Sequence, residues 1–237
     1  MTRPLAVNEI YSAIQGEGLF VGVPTVFLRF QGCSLSCGYC DTKYAIPFYK
    51  EGETEGFLRS EDALIEECKK FNCKNFCLTG GDPLNQKHSD LVPFLIRLRK
   101  ELDAHIVIET GGHVPIGEIL DQLRFADVES LVHFCVDYKL SCSGMKDRMK
   151  DGAFFPLRST DSIKYVCASD KDFIEAIAHL TRMRSEEVLA TALFSPAWGD
   201  PGWTTRLAEL VRDLPISHVR FSLQIHKVLY DPVTRCV

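Results

Sequence analysis

Three cysteines crowd one short segment, Gly32-Cys33-Ser34-Leu35-Ser36-Cys37-Gly38-Tyr39-Cys40-Asp41-Thr42, in a C-x3-C-x2-C spacing. A loop this short can aim all three thiolates at one inorganic centre, because Gly32 and Gly38 let the backbone bend where a side chain would resist. On a four-iron cluster, three cysteines leave one iron without a protein ligand and open to a substrate or cofactor. Two other readings stand beside this one. A structural zinc takes four Cys or His donors, and since the loop offers no fourth it would be completed from elsewhere in the chain. Three reduced structural thiols need no metal at all.

Other positions combine a reactive side chain with an unusual setting. Arg29 falls inside the apolar run Thr25–Phe30, where an unpaired guanidinium is costly, so it calls for an anion: a substrate carboxylate or a structural Asp. Glu109 closes another apolar run, which makes helix-cap or surface duty hard to assign to it. Thr42 offers a hard oxygen of the kind magnesium takes, or a local bond to its own backbone. His226 follows the alternating run Arg220–Gln224, and a continued strand places it on the same face as Gln224. A second cysteine group, Cys68, Cys73 and Cys77, reads as core packing: Cys68 lies on an apolar helix face and Cys77 in a strand, where a free thiol behaves as a small hydrophobe. Cys135 and Cys167 also fall in strands, whereas Cys142 and Cys236 fall in loops and receive no role.

These residues need a frame to hold them. Short β-branched and aromatic runs alternate with segments of helical period, the pattern of βα units around a parallel sheet. Strands are predicted at 25–30, 75–78, 105–108, 133–136, 163–167, 188–194 and 219–223. Ser60 can cap a helix carrying Leu64, Ile65, Cys68 and Phe71 on one face, and Leu91, Phe94, Leu95 and Leu98 form a similar stripe. Ser169 with Asp172 opens a third helix, Pro201–Leu214 offers a fourth, and a short one starts at Pro115. Polar and glycine residues gather after the strands: Thr79-Gly80-Gly81-Asp82, Glu109-Thr110-Gly111-Gly112, Asp137-Tyr138-Lys139, Ser195-Pro196, and Gln224 with His226. Parallel α/β sheets build active sites at that end.

Composition sets outer bounds. At 237 residues and 26.7 kDa, with 46% hydrophobic and 25% charged residues, the chain has enough apolar surface for its own core. Repeats, low-complexity tracts and linkers are absent, and the longest charge-rich stretch is Tyr49–Glu55, so one domain over 1–237 is expected, with 32–42 as its cluster loop. The net charge of -5 gives no positive field for nucleic acid, and a small-molecule partner follows. No apolar run approaches a membrane span and no export-like block follows Met1, so a cytoplasmic protein is expected. Neither a G-x-G-x-x-G nor a Walker sequence occurs.

The cysteine run with Tyr39 before its last cysteine, followed by Thr79-Gly80-Gly81-Asp82-Pro83, resembles the radical S-adenosylmethionine (SAM) superfamily. Asp82 stands where the commoner pattern has Glu. A narrower resemblance spans nearly the whole chain. Glu9-Ile10-Tyr11-Ser12-Ala13-Ile14-Gln15-Gly16-Glu17-Gly18, Gly22–Phe30, Cys40-Asp41-Thr42, Glu109–Gly112, Asp137-Tyr138-Lys139, Ser143-Gly144 and Gln224-Ile225-His226-Lys227 are similar to the 7-carboxy-7-deazaguanine synthase family.

The resemblance implies an α/β fold, an incomplete (β/α) barrel with helices outside. It implies a 4Fe-4S cluster on Cys33, Cys37 and Cys40, SAM, and Mg2+ assisted by Thr42. The implied reaction contracts 6-carboxy-5,6,7,8-tetrahydropterin to 7-carboxy-7-deazaguanine with loss of ammonia, on the route to queuosine. Ile14, Gln15, Gly16, Glu17, Arg29, Glu109, Gln224 and His226 become substrate-binding candidates, the two carboxylates facing the donor-rich pterin edge. Tyr39, Thr79, Gly81, Asp137, Lys139 and Ser195 become SAM contacts, and Asp41 braces the loop or holds the metal's waters. An electron donor such as flavodoxin and a homodimer are also implied. Ser195-Pro196-Ala197-Trp198 and the tail Pro232–Val237 depart from the family pattern, which leaves the cofactor contacts at Ser195 and any role of a C-terminal carboxylate open. A glycyl-radical activating enzyme of the same superfamily and a zinc-binding module are the alternatives.

Overall fold

The computed structural model describes residues 4–48, 57–231 and 234–236; the Tyr49–Glu55 stretch and Val237 lie outside them. Among these residues the chain forms β1 (Leu5–Ile14), β2 (Pro24–Phe30), β3 (Leu58–Arg59), α1 (Glu61–Lys69), β4 (Asn75–Gly80), α2 (His88–Leu102), β5 (His105–Thr110) and α3 (Gly117–Phe125). There follow β6 (Val132–Asp137), β7 (Ser162–Cys167), α4 (Asp170–Ser185), β8 (Thr191–Pro196), α5 (Pro201–Arg212), β9 (Val219–Phe221) and α6 (His226–Leu229). The strands make one sheet in the order β3-β1-β2-β4-β5-β6-β7-β8-β9. From β2 to β9 all neighbours are parallel, and these are the seven strands read from sequence. β1 and β3 add an antiparallel edge that the sequence reading lacks. The ends never meet, so the sheet is an open, incomplete barrel.

Strand alternation sorts the side chains into two populations. Leu28, Phe30, Phe76, Leu78, Ile106, Ile108, Phe134, Val136, Ile163 and Tyr165 are buried in one apolar core with the inner stripes of the helices. Their sequence neighbours Arg29, Thr79, Glu109, Asp137 and Lys164 point the other way, into the concave side. The functional face is therefore the alternate half of each strand, and the helices fix it by burying the other half.

The helix starts are chemically explicit. Ser60 accepts from the backbone of Ala63, Ser169 from Asp172, and Asp200 from Trp203, each satisfying a first-turn N–H. Asp172 returns the favour by accepting from Ala168 and Ser169, and its other oxygen accepts from Cys142, tying α4 to the loop after β6. Ser169→Ala should cost about 1 kcal/mol and lower the melting temperature by about 2–4 °C, read by thermal denaturation.

Several boundaries differ from the sequence reading. Pro115 precedes α3 instead of opening it, with Ile116 as the flanking residue. β8 starts at Thr191, three residues after Val188. β9 ends at Phe221, and His226 opens α6 instead of continuing a strand. There the backbone N–H of Ile225 donates to Gly16 O at 3.0 Å, drawing the chain off the sheet edge and across the barrel mouth. Among the described residues no helix is long and apolar enough to cross a membrane.

Candidate active site

A cavity of about 850 Å³ opens at the carboxyl ends of the parallel strands, within the size range of small-molecule sites. Cys33, Cys37 and Cys40 line it together with Glu17, Glu109, Arg29, Gln224 and His226. Ile14, Gln15, Gly16, Tyr39, Thr42, Thr79, Gly81, Asp137 and Lys139 also line it. The sequence candidates thus meet in one space, with Ser195 excepted. That side chain is 1% exposed within β8 and stands apart from the lining. Ala197 and Trp198, past the strand end, form the wall in its place.

The cysteine loop is clamped by backbone bonds. Gly32 donates to Ala45 O at 2.8 Å, Cys33 to Ile46 O at 3.0 Å, and Asp82 to Gly32 O at 2.9 Å. Gly81 sits so close to this clamp that a Cβ there would meet Gly32 O and Ala45 O at 2.5 Å. Its lack of a side chain serves the approach of protein backbone as much as that of any ligand. Asp82 is buried and accepts from Leu84 N, Thr110 Oγ1 and Gly111 N, so the shorter acid at this position locks the Gly-Gly turn to β5.

Among the described residues no three His, Cys, Asp or Glu side chains are arranged to hold a single metal ion. A cuboidal cluster asks for something different: thiols on separate corners, surrounding a space. Cys33, Cys37 and Cys40 all border one cavity. Burial pushes the Cys33 thiol up to about 12 and the Cys37 thiol up as well, with Lys139 opposing the shift at both. Two polar atoms beside them, Asp137 Oδ1 and the Tyr39 hydroxyl, are buried with no hydrogen-bond partner. Such orphans call for a polar ligand. Asp137 Oδ2 holds Lys139 at 2.6 Å, and Lys139 Nζ lies 5.6 Å from the centroid of the Tyr39 ring. The donor set and the orphaned atoms fit a cluster and a polar cofactor bound next to it. Thr42 Oγ1 is 3.7 Å from Cys40 Sγ, and Asp41 is tied to Lys227 at 2.8 Å, a bracing role.

Arg29 finds an anion within the protein. Its Nε bonds Glu9 at 2.9 Å and its Nη2 the Tyr11 hydroxyl at 3.0 Å, while the guanidinium still borders the cavity. Glu9 also takes Tyr44 and Arg235, the latter stacked 3.8 Å over the Tyr44 ring. Glu109 accepts from Thr79 Oγ1 at 2.9 Å and Gln15 Nε2 at 3.4 Å, so Thr79 serves a carboxylate here. Glu17 accepts from Gln224 Nε2 at 2.7 Å and from Lys164. Burial works against both carboxylates, but the Lys164 charge and the Gln224 bond bring Glu17 below the ordinary range. Burial and the neighbouring Glu17 charge push Glu109 above it. One buried acid is thereby held ionised and the other is driven toward its neutral form, the separation that acid pairs in active sites display. His226 is lowered by burial, with Glu17 opposing, and packs on Gly16: a Cβ on Gly16 would meet His226 Nδ1 at 2.1 Å.

Lys164 is the site residue that sequence reading misses. The available signal was an ammonium inside the run Ser162-Ile163-Lys164-Tyr165-Val166-Cys167, the same argument that singled out Arg29. Cys135, assigned to the core, is buried but also borders the cavity floor.

An open parallel barrel with a three-thiol loop at its carboxyl end is the architecture of radical SAM enzymes, and the Radical SAM superfamily model matches residues 27–137. The 7-carboxy-7-deazaguanine synthase of Clostridium acetobutylicum is 34% identical over 231 residues, covering 98% of both chains. That of Methanospirillum hungatei is 33% identical over 96% of this chain and 86% of its own. Among solved structures, QueE from Escherichia coli shares the fold with a TM-score of 0.71 at 22% identity, over 93% of each chain. Streptococcus suis SuiB bound to S-adenosylmethionine matches with a TM-score of 0.54 at 13% identity, over 83% of this chain and 51% of that one. This chain belongs to the 7-carboxy-7-deazaguanine synthase family. The glycyl-radical activating and zinc-module readings are not favoured, since the relatives matched from end to end carry the synthase name.

Proposed function

We propose that this protein is a radical SAM lyase that converts 6-carboxy-5,6,7,8-tetrahydropterin to 7-carboxy-7-deazaguanine with loss of ammonia, feeding queuosine-type deazapurine synthesis. The observation that carries it is the single cavity that joins the three-thiol loop to a set of paired carboxylates, Arg29 and His226. When bound on Cys33, Cys37 and Cys40, the 4Fe-4S cluster with SAM supplies a carbon-centred radical for hydrogen abstraction from C6 of the pterin.

The chain's own residues then have separable tasks. Tyr39, Asp137 and Lys139 hold SAM, with the orphaned Asp137 Oδ1 and Tyr39 hydroxyl as its hydrogen-bonding points. Gly81 and Thr79 shape the floor beside it, and Thr42 contributes an oxygen to Mg2+, which keeps most of its waters. Ionised Glu17 accepts the N–H edge of the pterin, and Glu109, held by Thr79 and Gln15, faces it from β5. Arg29, oriented by Glu9 and Tyr11, pairs with the substrate carboxylate. Gln224 and His226 close the pocket from the C-terminal side, on Gly16, and Ile14 packs on the ring. The working enzyme is a cytoplasmic homodimer of one domain per chain, supplied with electrons by a protein such as flavodoxin, and engages neither nucleic acid nor membrane.

Anaerobic incubation with the tetrahydropterin, reductant, Mg2+ and SAM should yield 7-carboxy-7-deazaguanine by mass; no product from a fully clustered enzyme would overturn the reading. Glu17→Gln should leave iron and sulfide content unchanged and lower kcat/KM for the pterin about 10- to 100-fold, the worth of one charge-assisted hydrogen bond.

A further inference from the structure

Lys164 is a largely buried cation that lines the cavity. It stands mid-strand in β7, register-paired with Asp137 of β6, and its carbonyl accepts from Tyr138 N at 2.8 Å. Its side chain is 17% exposed and that of Glu17 is 14% exposed, and the ammonium lies directly on Glu17 Oε2. The remaining oxygen of Glu17 takes Gln224 at 2.7 Å. Glu17 belongs to the loop after β1, Lys164 to a strand on the far side of the barrel, and Gln224 to the segment that crosses the mouth. One carboxylate thus ties three separate parts of the wall together.

An ammonium in an apolar strand is expensive and is retained only where an anion repays it. Glu17 repays it here, and the reverse also holds: without Lys164, Glu17 would be a buried acid beside Glu109, with like charges opposing its ionisation. We propose that Lys164 is the positioning residue that fixes Glu17 as an ionised, immobile acceptor, and so selects a planar ligand that presents adjacent N–H donors. The ligand is the donor edge of a 2-amino-4-oxopyrimidine ring. A neutral Glu17 presents a hydroxyl to that edge, and donor meets donor. This rests on Glu17 being the substrate acceptor, as proposed above.

The groups facing the pair are Cys135 from β6, Glu109 and Asp137 from the carboxyl ends of β5 and β6, Asp41 from the cysteine loop, and His226 from the closing segment. Arg29 acts on Glu109 from the opposite side. In Lys164→Met the cation disappears and an apolar stem remains in the strand. The acidic limb of kcat/KM against pH should then move up by at least about one pH unit, because Glu17 loses the charge that holds it ionised.

The test uses the clustered full-length enzyme and four forms: wild type, Lys164→Met, Glu17→Gln and the double variant, with Lys164→Arg as a charge-retaining control. Readouts are iron and sulfide content, SAM cleavage without pterin, and KM, kcat and their pH profile for the tetrahydropterin. Lys164→Met should raise KM at least 10-fold with cluster content and pterin-free SAM cleavage unchanged, and should shift the acidic limb. The double variant should be no worse than the poorer single one, because both act through the same hydrogen bonds. Lys164→Arg should keep the wild-type acidic limb whatever its KM. If Glu17→Gln raises KM but Lys164→Met changes neither KM nor the limb, or if the two effects multiply, the role of Lys164 is overturned and that of Glu17 stands. If Glu17→Gln itself leaves KM unchanged, the substrate reading of Glu17 falls first. Should Lys164→Met misfold, Lys164→Arg with a shifted acidic limb would still refute the proposal.

Discussion

Replacing Cys37 with alanine should abolish cluster incorporation and SAM cleavage together. On the proposed reading each of the three cysteines would supply a thiolate to the cluster, so loss of one would leave it held by two. The fold has little stake in this side chain. Cys37 is half-buried in a loop whose clamps are backbone bonds from Gly32, Cys33 and Asp82, and its own carbonyl, which alanine keeps, accepts from Cys40 N at 3.1 Å. The variant should therefore melt within about 2 °C of the wild-type apoprotein, as substitutions outside special features do, while its acid-labile sulfide and its 5′-deoxyadenosine production drop to background. Full sulfide content together with undiminished 5′-deoxyadenosine would remove this loop as the cluster site.

Gly81→Ala should be nearly as damaging by a different route. The added methyl would stand 2.5 Å from two carbonyl oxygens, those of Gly32 and Ala45, and backbone cannot swing aside as a long side chain can. Relief requires the cysteine loop to lift from the turn after β4, breaking the 2.9 Å bond from Asp82 N to Gly32 O. Overpacking of this kind costs about 3 kcal/mol, which for a chain of this length lowers the melting temperature by about 6–12 °C. Cluster occupancy should fall with it, since the displaced segment carries Cys33. An unchanged melting point with full iron content would show that the cradle is looser than its geometry.

Much of this could be read from the residues themselves. The seven parallel strands announce themselves because they are buried on the helix side and carry β-branched and aromatic residues in every unit. β1 does not. It pairs with β2 through a register break between Val7 and Glu9, so its alternation is interrupted, and Asn8, Glu9 and Ser12 dilute what remains. β3 has two residues, too few for any period to register. Arg29 and Lys164 carry the same signal, a cation in an apolar strand, yet only the former falls within a stretch whose resemblance drew the eye. What no local pattern encodes is partnership across the barrel. That Arg29 meets Glu9, that Glu17 meets Lys164 and Gln224, and that Thr79 serves Glu109 are consequences of topology. Ser195 shows the converse: it sits near the end of the right strand and still lies outside the pocket.

The two rims of the sheet, β3 and β9, are two and three residues long and remain unjoined. A cylinder stitched shut by hydrogen bonds would fix its bore for good. Here the missing stave is replaced by the segments from Gln224 to Lys227 and from Thr234 to Cys236, held to Gly16, Glu17, Asp41 and Glu9 by contacts outside the ladder. Substitutions in those segments can retailor the doorway without disturbing one rung of the ladder behind it.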